Sequence, residues 1–147
     1  MATAIFTGSF NPFTIGHLDI LRRGLVIFDR IVVVKGINVS KPGSSSIDDL
    51  RRCPPLEQLA SDGRVEIAEW SGLTVDAARH FGATALLRGA RTAADFDYER
   101  SMADINRLLA PDIDTVILPA RPELAMISSS MVRELASFGK DITPFIP

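Results

Sequence analysis

The stretch TAIFTGSFNPFTIGH, residues Thr3 to His17, joins an apolar run, a polar turn and the start of a helical pattern. The apolar run is Thr3–Phe6. Four apolar residues follow the turn at spacings of three, four and three: Leu18, Leu21, Leu25 and Phe28. That spacing places them on one face of a helix. The stretch therefore predicts a buried strand, a turn rich in glycine and hydroxyl groups, and an amphipathic helix.

The alternation of strand and helix continues along the chain. Further apolar runs occur at Ile31–Val34, Val65–Ala68, Thr84–Leu87 and Thr115–Leu118. They are nearly continuous, which is typical of strands buried on both faces of a parallel sheet. Helical patterns cover Leu73–Phe81, Ser130–Phe138 and a stripe that the pattern places in the core: Tyr98, Met102, Ile105 and Leu109. We therefore predict an α/β fold, an open parallel five-stranded sheet with helices on both faces, as a single domain over residues 1–147.

The segment Lys41–Asp62 has the weakest pattern. We predict a loop, a short helix at Ile47–Arg52, a break at Pro54-Pro55 and one more turn at Leu56–Ala60, because proline interrupts a helix.

Composition excludes several classes of protein. Hydrophobic residues make up 46% of the chain, charged residues 23%, and the net charge is −2. Nothing in this charge favours nucleic acid or an anionic membrane as a partner. No apolar run approaches the ~20 residues of a membrane span, and the N-terminus lacks the features of a secretory signal. The one cysteine, Cys53, allows no intrachain disulfide, so we expect a cytoplasmic protein.

Ligands of open parallel sheets bind beyond the carboxyl ends of the strands. Four polar stretches are expected on that rim: Thr7–His17, Asn38–Lys41, Arg88–Arg91 and Pro119–Ser130. In the first, Thr14 is positioned as an N-cap, and the free N–H groups of the following turn favour a phosphate. His17 could donate to that phosphate, which would raise its pKa. The alternative is a capped helix with a surface histidine.

The other stretches supply cations and hydroxyl groups. Arg88 and Arg91 suit bidentate contacts to phosphate, and the acids Asp95, Asp97 and Glu99 could pair with them or touch a ribose. The alternative is a surface ion-pair network. Ser128–Ser130 would begin a second helix at the same rim, and Lys41 is either a rim cation or a solvated lysine. There is no P-loop and no G-x-G-x-x-G, so the set favours phosphoryl or nucleotidyl transfer between two anionic substrates.

Two motifs, T-x-G-H at Thr14–His17 and S-S-S-x-x-R at Ser128–Arg133, resemble signatures of the nucleotidyltransferase superfamily. Further segments resemble the phosphopantetheine adenylyltransferases in particular: GSFNPFTIGH, VSKP, LLRGARTAADFDYE, DINRLLAP, ISSSMVRELA and DITPFIP. The resemblance extends in register from Ile5 to Pro147. It implies a Rossmann-like fold, a homohexamer, and a reaction in which ATP and 4′-phosphopantetheine give dephospho-CoA and pyrophosphate.

The resemblance also implies roles for individual residues. His17 would bind the ATP phosphates and stabilise the transition state, Ser9 and Phe10 would contact the substrates, and Mg²⁺ would arrive with ATP rather than on a protein site. Lys41, Thr74 and Arg88 would hold phosphopantetheine. The remaining ATP contacts would be Gly89, Ala90, Arg91, Glu99, Leu124, Ala125, Met126, Ile127, Ser128, Ser129 and Ser130.

Two departures from the family keep alternatives open. The turn has Thr7 and Asn11 where the family more often has proline and aspartate, and G-S-F-N-P is shared with nicotinate mononucleotide adenylyltransferases. Cys53-Pro54-Pro55 falls where the family usually continues a helix. A nucleotide-binding regulatory protein without catalysis is a third reading, which the presence of His17 disfavours.

Overall fold

The computed structural model describes residues 1–37 and 46–147. Its five strands are β1 (Thr3–Gly8), β2 (Arg30–Gly36), β3 (Val65–Trp70), β4 (Ala85–Ala90) and β5 (Asp114–Pro119). The α-helices in these ranges are α1 (Ile15–Ile27), α2 (Ile47–Arg51), α3 (Pro54–Ser61), α4 (Thr74–His80), α5 (Ala93–Leu109) and α6 (Ser129–Ser137). Short 3₁₀ turns occupy Pro122–Leu124 and Thr143–Phe145.

The strands form one parallel sheet in the order β3-β2-β1-β4-β5. The predicted five-stranded parallel sheet is therefore confirmed. Strand order reverses between β1 and β4, and such a switch point is where open α/β sheets bind ligands.

Side chains alternate between the two faces of the sheet, and each face has its own apolar cluster. Phe6 and Leu87 pack with α1, α2 and α3 on one face. Ile5 and Leu86 pack with α4 and the end of α5 on the other. The prediction of helices on both faces is confirmed.

The prediction for α5 was wrong in one respect. Tyr98 is 61% exposed, and Ile105 and Leu109 of the same stripe are also exposed. The charged residue Glu99 is instead the buried member of the helix. An apolar periodicity identifies one face of a helix, but it does not say whether this chain covers that face.

A break separates α2 from α3 as predicted, but it lies at Arg52 and Cys53, just before the proline pair rather than at it. The second helix is longer than expected because it begins at Pro54 rather than after the proline pair. Proline is tolerated in the first turn, where its missing N–H has no helical partner in any case.

Lys41, with the rest of residues 38–45, lies outside the described residues. In the described ranges, no helix has the length and apolar character needed to cross a membrane.

Candidate active site

A cavity of about 330 Å³ opens at the carboxyl ends of β1 and β4. Its walls are the turn after β1, the first turn of α1, the end of β4 and the start of α6. Twelve of the residues predicted from the sequence line it: Ser9, Phe10, His17, Arg88, Gly89, Ala90, Arg91, Leu124, Ile127, Ser128, Ser129 and Ser130. The structure therefore brings together most of the set that the motifs indicated.

Five predicted residues do not line this main cavity. Thr74 and Glu99 line an adjoining cavity of about 130 Å³ beside α5. Ala125 and Met126 precede α6 without facing the main cavity, and the Met126 side chain is exposed. Lys41 lies outside the described residues.

Arg133 lines the main cavity but was not among the predicted site residues. Its guanidinium donates to the carbonyl oxygen of Asn11 and, at 3.2 Å, to Oγ of Ser130. The signal was present in the S-S-S-x-x-R pattern. It was missed because spacing along one helix does not reveal which other element the arginine faces.

The turn after β1 is fixed by the packing of Phe10. Its ring is buried and meets those of Phe6 and Phe13 edge-on, with centroids 5.2 and 5.3 Å apart. A Cβ on Gly8 would come within 2.9 Å of the Phe10 ring, so only glycine fits there. Phe10 also has φ of 45°, a conformation that side-chain-bearing residues adopt only when the surroundings hold it. The turn therefore presents Ser9 to the cavity on a rigid backbone.

His17 is oriented by the N-cap of α1. The backbone N–H of Thr14 donates to Nδ1 of His17 at 2.9 Å, and the backbone N–H of His17 lies 3.3 Å from Oγ1 of Thr14. Since Nδ1 accepts a hydrogen bond, the proton of the neutral ring is on Nε2. His17 can therefore act as a hydrogen-bond donor to a bound anion without being charged.

The pKa of His17 is lowered from 6.5 to about 4. Burial among the rings of Phe6, Phe10 and Phe13 is the main cause, and the positive charges of Arg88 and Arg91 add to it. The sequence predicted a raised pKa from a phosphate alone. It did not anticipate the apolar rings or the arginines, which both disfavour a second proton.

The first turn of α6 faces the same cavity as that of α1. The Ser128 hydroxyl accepts from the backbone N–H of Met131 at 3.1 Å, which makes it the N-cap. The Ser129 hydroxyl donates to the carbonyl oxygen of Pro12 at 2.7 Å. This bond joins α6 to the turn after β1, so the N-termini of two helices converge on one cavity. Each helix N-terminus favours a negative charge.

Both predicted arginines are paired with acids of α5. Arg88 makes a bidentate pair with Glu99, at 2.8 Å from Nε and 2.7 Å from Nη2, and Glu99 is only 7% exposed. Arg91 lies 3.5 Å from Asp95. The expected pairing of arginines with these acids is confirmed for both, yet both guanidiniums also line the main cavity.

The main cavity suits anions rather than a resident metal ion. Three arginines and no acidic residue are among its described lining residues. Within residues 1–37 and 46–147, no three His, Cys, Asp or Glu side chains are grouped closely enough to hold a metal ion. Cations and helix N-termini around a rigid turn are the donor set that phosphates require.

Comparisons with known proteins show the family to which the chain belongs. The model of the cytidylyltransferase-like family matches residues 5–135. Phosphopantetheine adenylyltransferases from Porphyromonas gingivalis and Phocaeicola vulgatus are 48% and 47% identical, over 98% and 100% of this chain and 93% and 96% of theirs. A crystal structure of a candidate nicotinate-nucleotide adenylyltransferase from Vibrio parahaemolyticus superimposes with a TM-score of 0.65 at 17% identity, covering 99% of this chain and 87% of that one. The chain therefore belongs to the cytidylyltransferase-like family and, within it, to the phosphopantetheine adenylyltransferases.

Proposed function

We propose that this protein transfers the adenylyl group of ATP to 4′-phosphopantetheine, giving dephospho-CoA and pyrophosphate, a step of coenzyme A synthesis. The observation that carries the proposal is the main cavity. There, a neutral histidine, two helix N-termini and three arginines surround a rigid turn in a chain nearly half identical to adenylyltransferases. The proposal requires two phosphate-bearing substrates to meet at this cavity.

The chemistry is a direct displacement at phosphorus. An oxygen of the acceptor's 4′-phosphate attacks the α-phosphorus of ATP. The bond between the α-phosphorus and the oxygen that bridges it to the β-phosphorus breaks. The electron pair of that bond leaves with pyrophosphate, so no covalent bond to the protein forms. Positioning two bound substrates for such an attack can supply ~7–11 kcal/mol of the barrier.

His17 acts as a donor in this scheme. Its Nε2–H would bond to the phosphate oxygens of ATP and stabilise the charge that grows on them in the transition state. A donor of this kind is worth roughly 2.7–4 kcal/mol, by analogy with oxyanion holes. Because its pKa is lowered to about 4 in the unliganded protein, the ring is neutral there at pH 7 and offers a hydrogen bond rather than a charge.

The acceptor would lie toward α5. Thr74, which lines the adjoining cavity, and Arg88, which lines both cavities, would hold phosphopantetheine, together with Lys41. Ser9, Phe10 and the segments at 89–91 and 124–130 would contact the substrates from the main cavity. Glu99 would act through Arg88 rather than on ATP, because it is buried against that guanidinium. Mg²⁺ would enter as part of the substrate MgATP, since no acid among the described residues lines the main cavity.

The assay is pyrophosphate release from MgATP with 4′-phosphopantetheine or nicotinate mononucleotide as acceptor. Release with phosphopantetheine alone is the expected result. Release with the mononucleotide alone would show that Asn11, in the G-S-F-N-P form of the turn, was the better guide to the acceptor. ATP binding without release in either case would favour a regulatory role.

We also infer that the protein assembles through α5, as a hexamer by resemblance to the family. The helix exposes several large apolar side chains on its surface, with Leu108 83% exposed and Tyr98 61% exposed. Exposed apolar side chains grouped on one element mark an interaction surface. Sedimentation equilibrium should give a mass that is a multiple of 16.0 kDa, and Leu108→Asp should lower that mass.

We place the protein in the cytoplasm. Its Cys53 is a free thiol, which suits a reducing compartment.

A further inference from the structure

Arg88 bridges the gap between β1 and β4 at the switch point of the sheet. The ladder between these strands ends where Phe6 pairs with Leu87, although both strands continue beyond it. Past that point, Nη1 of Arg88 donates to the carbonyl oxygen of Thr7 and, at 3.1 Å, to the Thr7 hydroxyl. A side chain from β4 thus takes the place of the next hydrogen bonds of the ladder.

Glu99 holds the opposite edge of the same guanidinium. Its carboxylate accepts from Nε and Nη2, so Thr7 and Glu99 together occupy four of the five N–H donors of Arg88. Within the described residues, one Nη2–H is left to a ligand. The guanidinium is planar, so bonds on both of its edges fix the direction in which that last donor points.

Thr7 and Arg88 lie where three cavities meet. They line the main cavity, the adjoining cavity beside α5, and a third of about 220 Å³ between the end of β2 and α4. Among the described residues, these two alone line all three. Under the proposed function, a donor held at this point would lie between the two substrates.

We propose that the Thr7 hydroxyl is a positioning group for phosphopantetheine: it fixes Arg88 so that the remaining Nη2–H meets the acceptor's phosphate. This inference rests on the proposed function and refines its acceptor site. Thr7 stands where, by the resemblance described above, the family more often has proline, which has no hydroxyl. Thr7 acts through Arg88 and does not itself take part in the reaction.

The decisive change is Thr7→Val, which removes the hydroxyl and keeps the side-chain shape. Nη1 then retains only the Thr7 carbonyl, and the guanidinium can tilt on its Glu99 edge. We expect the KM for phosphopantetheine to rise roughly tenfold, the effect of one hydrogen bond to a charged group. The KM for ATP should stay at the wild-type value, and circular dichroism should show a folded protein. Thr7→Ser keeps the hydroxyl and should restore the wild-type KM.

The matched control is Thr3→Val, the same substitution on the same strand at the buried end away from the cavities. It should leave both KM values unchanged. A double-mutant cycle then asks whether Thr7 acts through Arg88: in an Arg88→Lys background, which lacks the guanidinium fork, Thr7→Val should add almost nothing.

Three outcomes would overturn the inference: an unchanged KM for phosphopantetheine in Thr7→Val, an equal rise of both KM values, or the full rise persisting in the Arg88→Lys background. Failure of the proposed function is distinguishable from these. In that case the unaltered protein would release no pyrophosphate with phosphopantetheine, before any variant is compared.

Discussion

The lowered pKa of His17 makes the stability of this protein depend on pH in a predictable way. The imidazole titrates at 6.5 when the chain is unfolded and at about 4 when it is folded. Between these values the unfolded chain binds the proton more readily. The stabilisation by neutral His17 is therefore complete above pH 6.5 and is lost as the pH falls toward 4. From pH 7 to pH 5 the loss amounts to about 2 kcal/mol of unfolding free energy.

The assay is urea unfolding of the unaltered protein and of His17→Gln at pH 7, 6 and 5. Glutamine does not titrate, and all other groups are common to both chains. The unfolding free energy of the unaltered protein should therefore fall by about 2 kcal/mol more than that of the variant. Parallel pH dependences would refute the reasoning, because they would mean that His17 takes up its proton at the same pH in both states.

Salt separates the two causes of the shift. Burial is the larger cause, and the charges of Arg88 and Arg91 are the smaller ones. Salt near 1 M shortens the screening length to about 3 Å, so it should weaken the arginine contribution while leaving the effect of burial. Most of the pH-dependent difference should therefore survive. Its disappearance in salt would show that the arginines, rather than the apolar rings, keep His17 neutral.

Three further predictions concern catalysis and packing. His17→Gln should lower kcat for pyrophosphate release by about 10²–10³ while circular dichroism shows a folded protein; near-normal turnover would remove His17 from the mechanism. Gly24→Ala places a Cβ 2.5 Å from Cδ2 of Leu87, so it should destabilise the protein by about 1–3 kcal/mol in urea despite alanine's higher helix propensity. Arg64→Ala removes hydrogen bonds to three carbonyl oxygens at the C-terminal end of α1 and should cost about 2 kcal/mol; an unchanged urea midpoint would mean that water replaces the guanidinium at no cost.

The strands could be located from the sequence because burial on both faces demands continuous apolar runs. Each predicted run overlaps an observed strand, although Thr84 lies just before β4. The strands extend further at their carboxyl ends, where polar residues such as Lys35 and Arg88 still belong to β2 and β4. Lys35 is buried in β2, and its ammonium group donates to the carbonyl oxygen of Ser9. Local sequence does not predict such a strand end, because the acceptor that allows the charge to be buried lies 26 residues away.

The candidate site was predictable to the extent that its residues follow strands or begin helices. Ser9, His17 and Ser128 are positioned by local turns and caps, and a pattern of neighbouring residues carries that information. The face of α5 was not predictable in the same way. Its stripe has the spacing of a buried face, but the cover for Tyr98 and Leu109 is absent among the described residues of this chain. An apolar stripe indicates that a helix face is covered, but it does not show whether the same chain or another molecule covers it.

Contacts between distant residues decide the rest of the site. Arg88 and Thr7 are 81 positions apart, and their hydrogen bond exists because parallel pairing brings the ends of β1 and β4 to the same rim. Read alone, Thr7 looks like an imperfect match to a family motif, and Glu99 looks like one more acid beside an arginine. In the folded chain Thr7 and Glu99 both accept hydrogen bonds from the Arg88 guanidinium, at the point where the cavities meet. A departure from a motif is therefore best judged by the contact it makes, and here the threonine supplies an acceptor that a proline side chain could not.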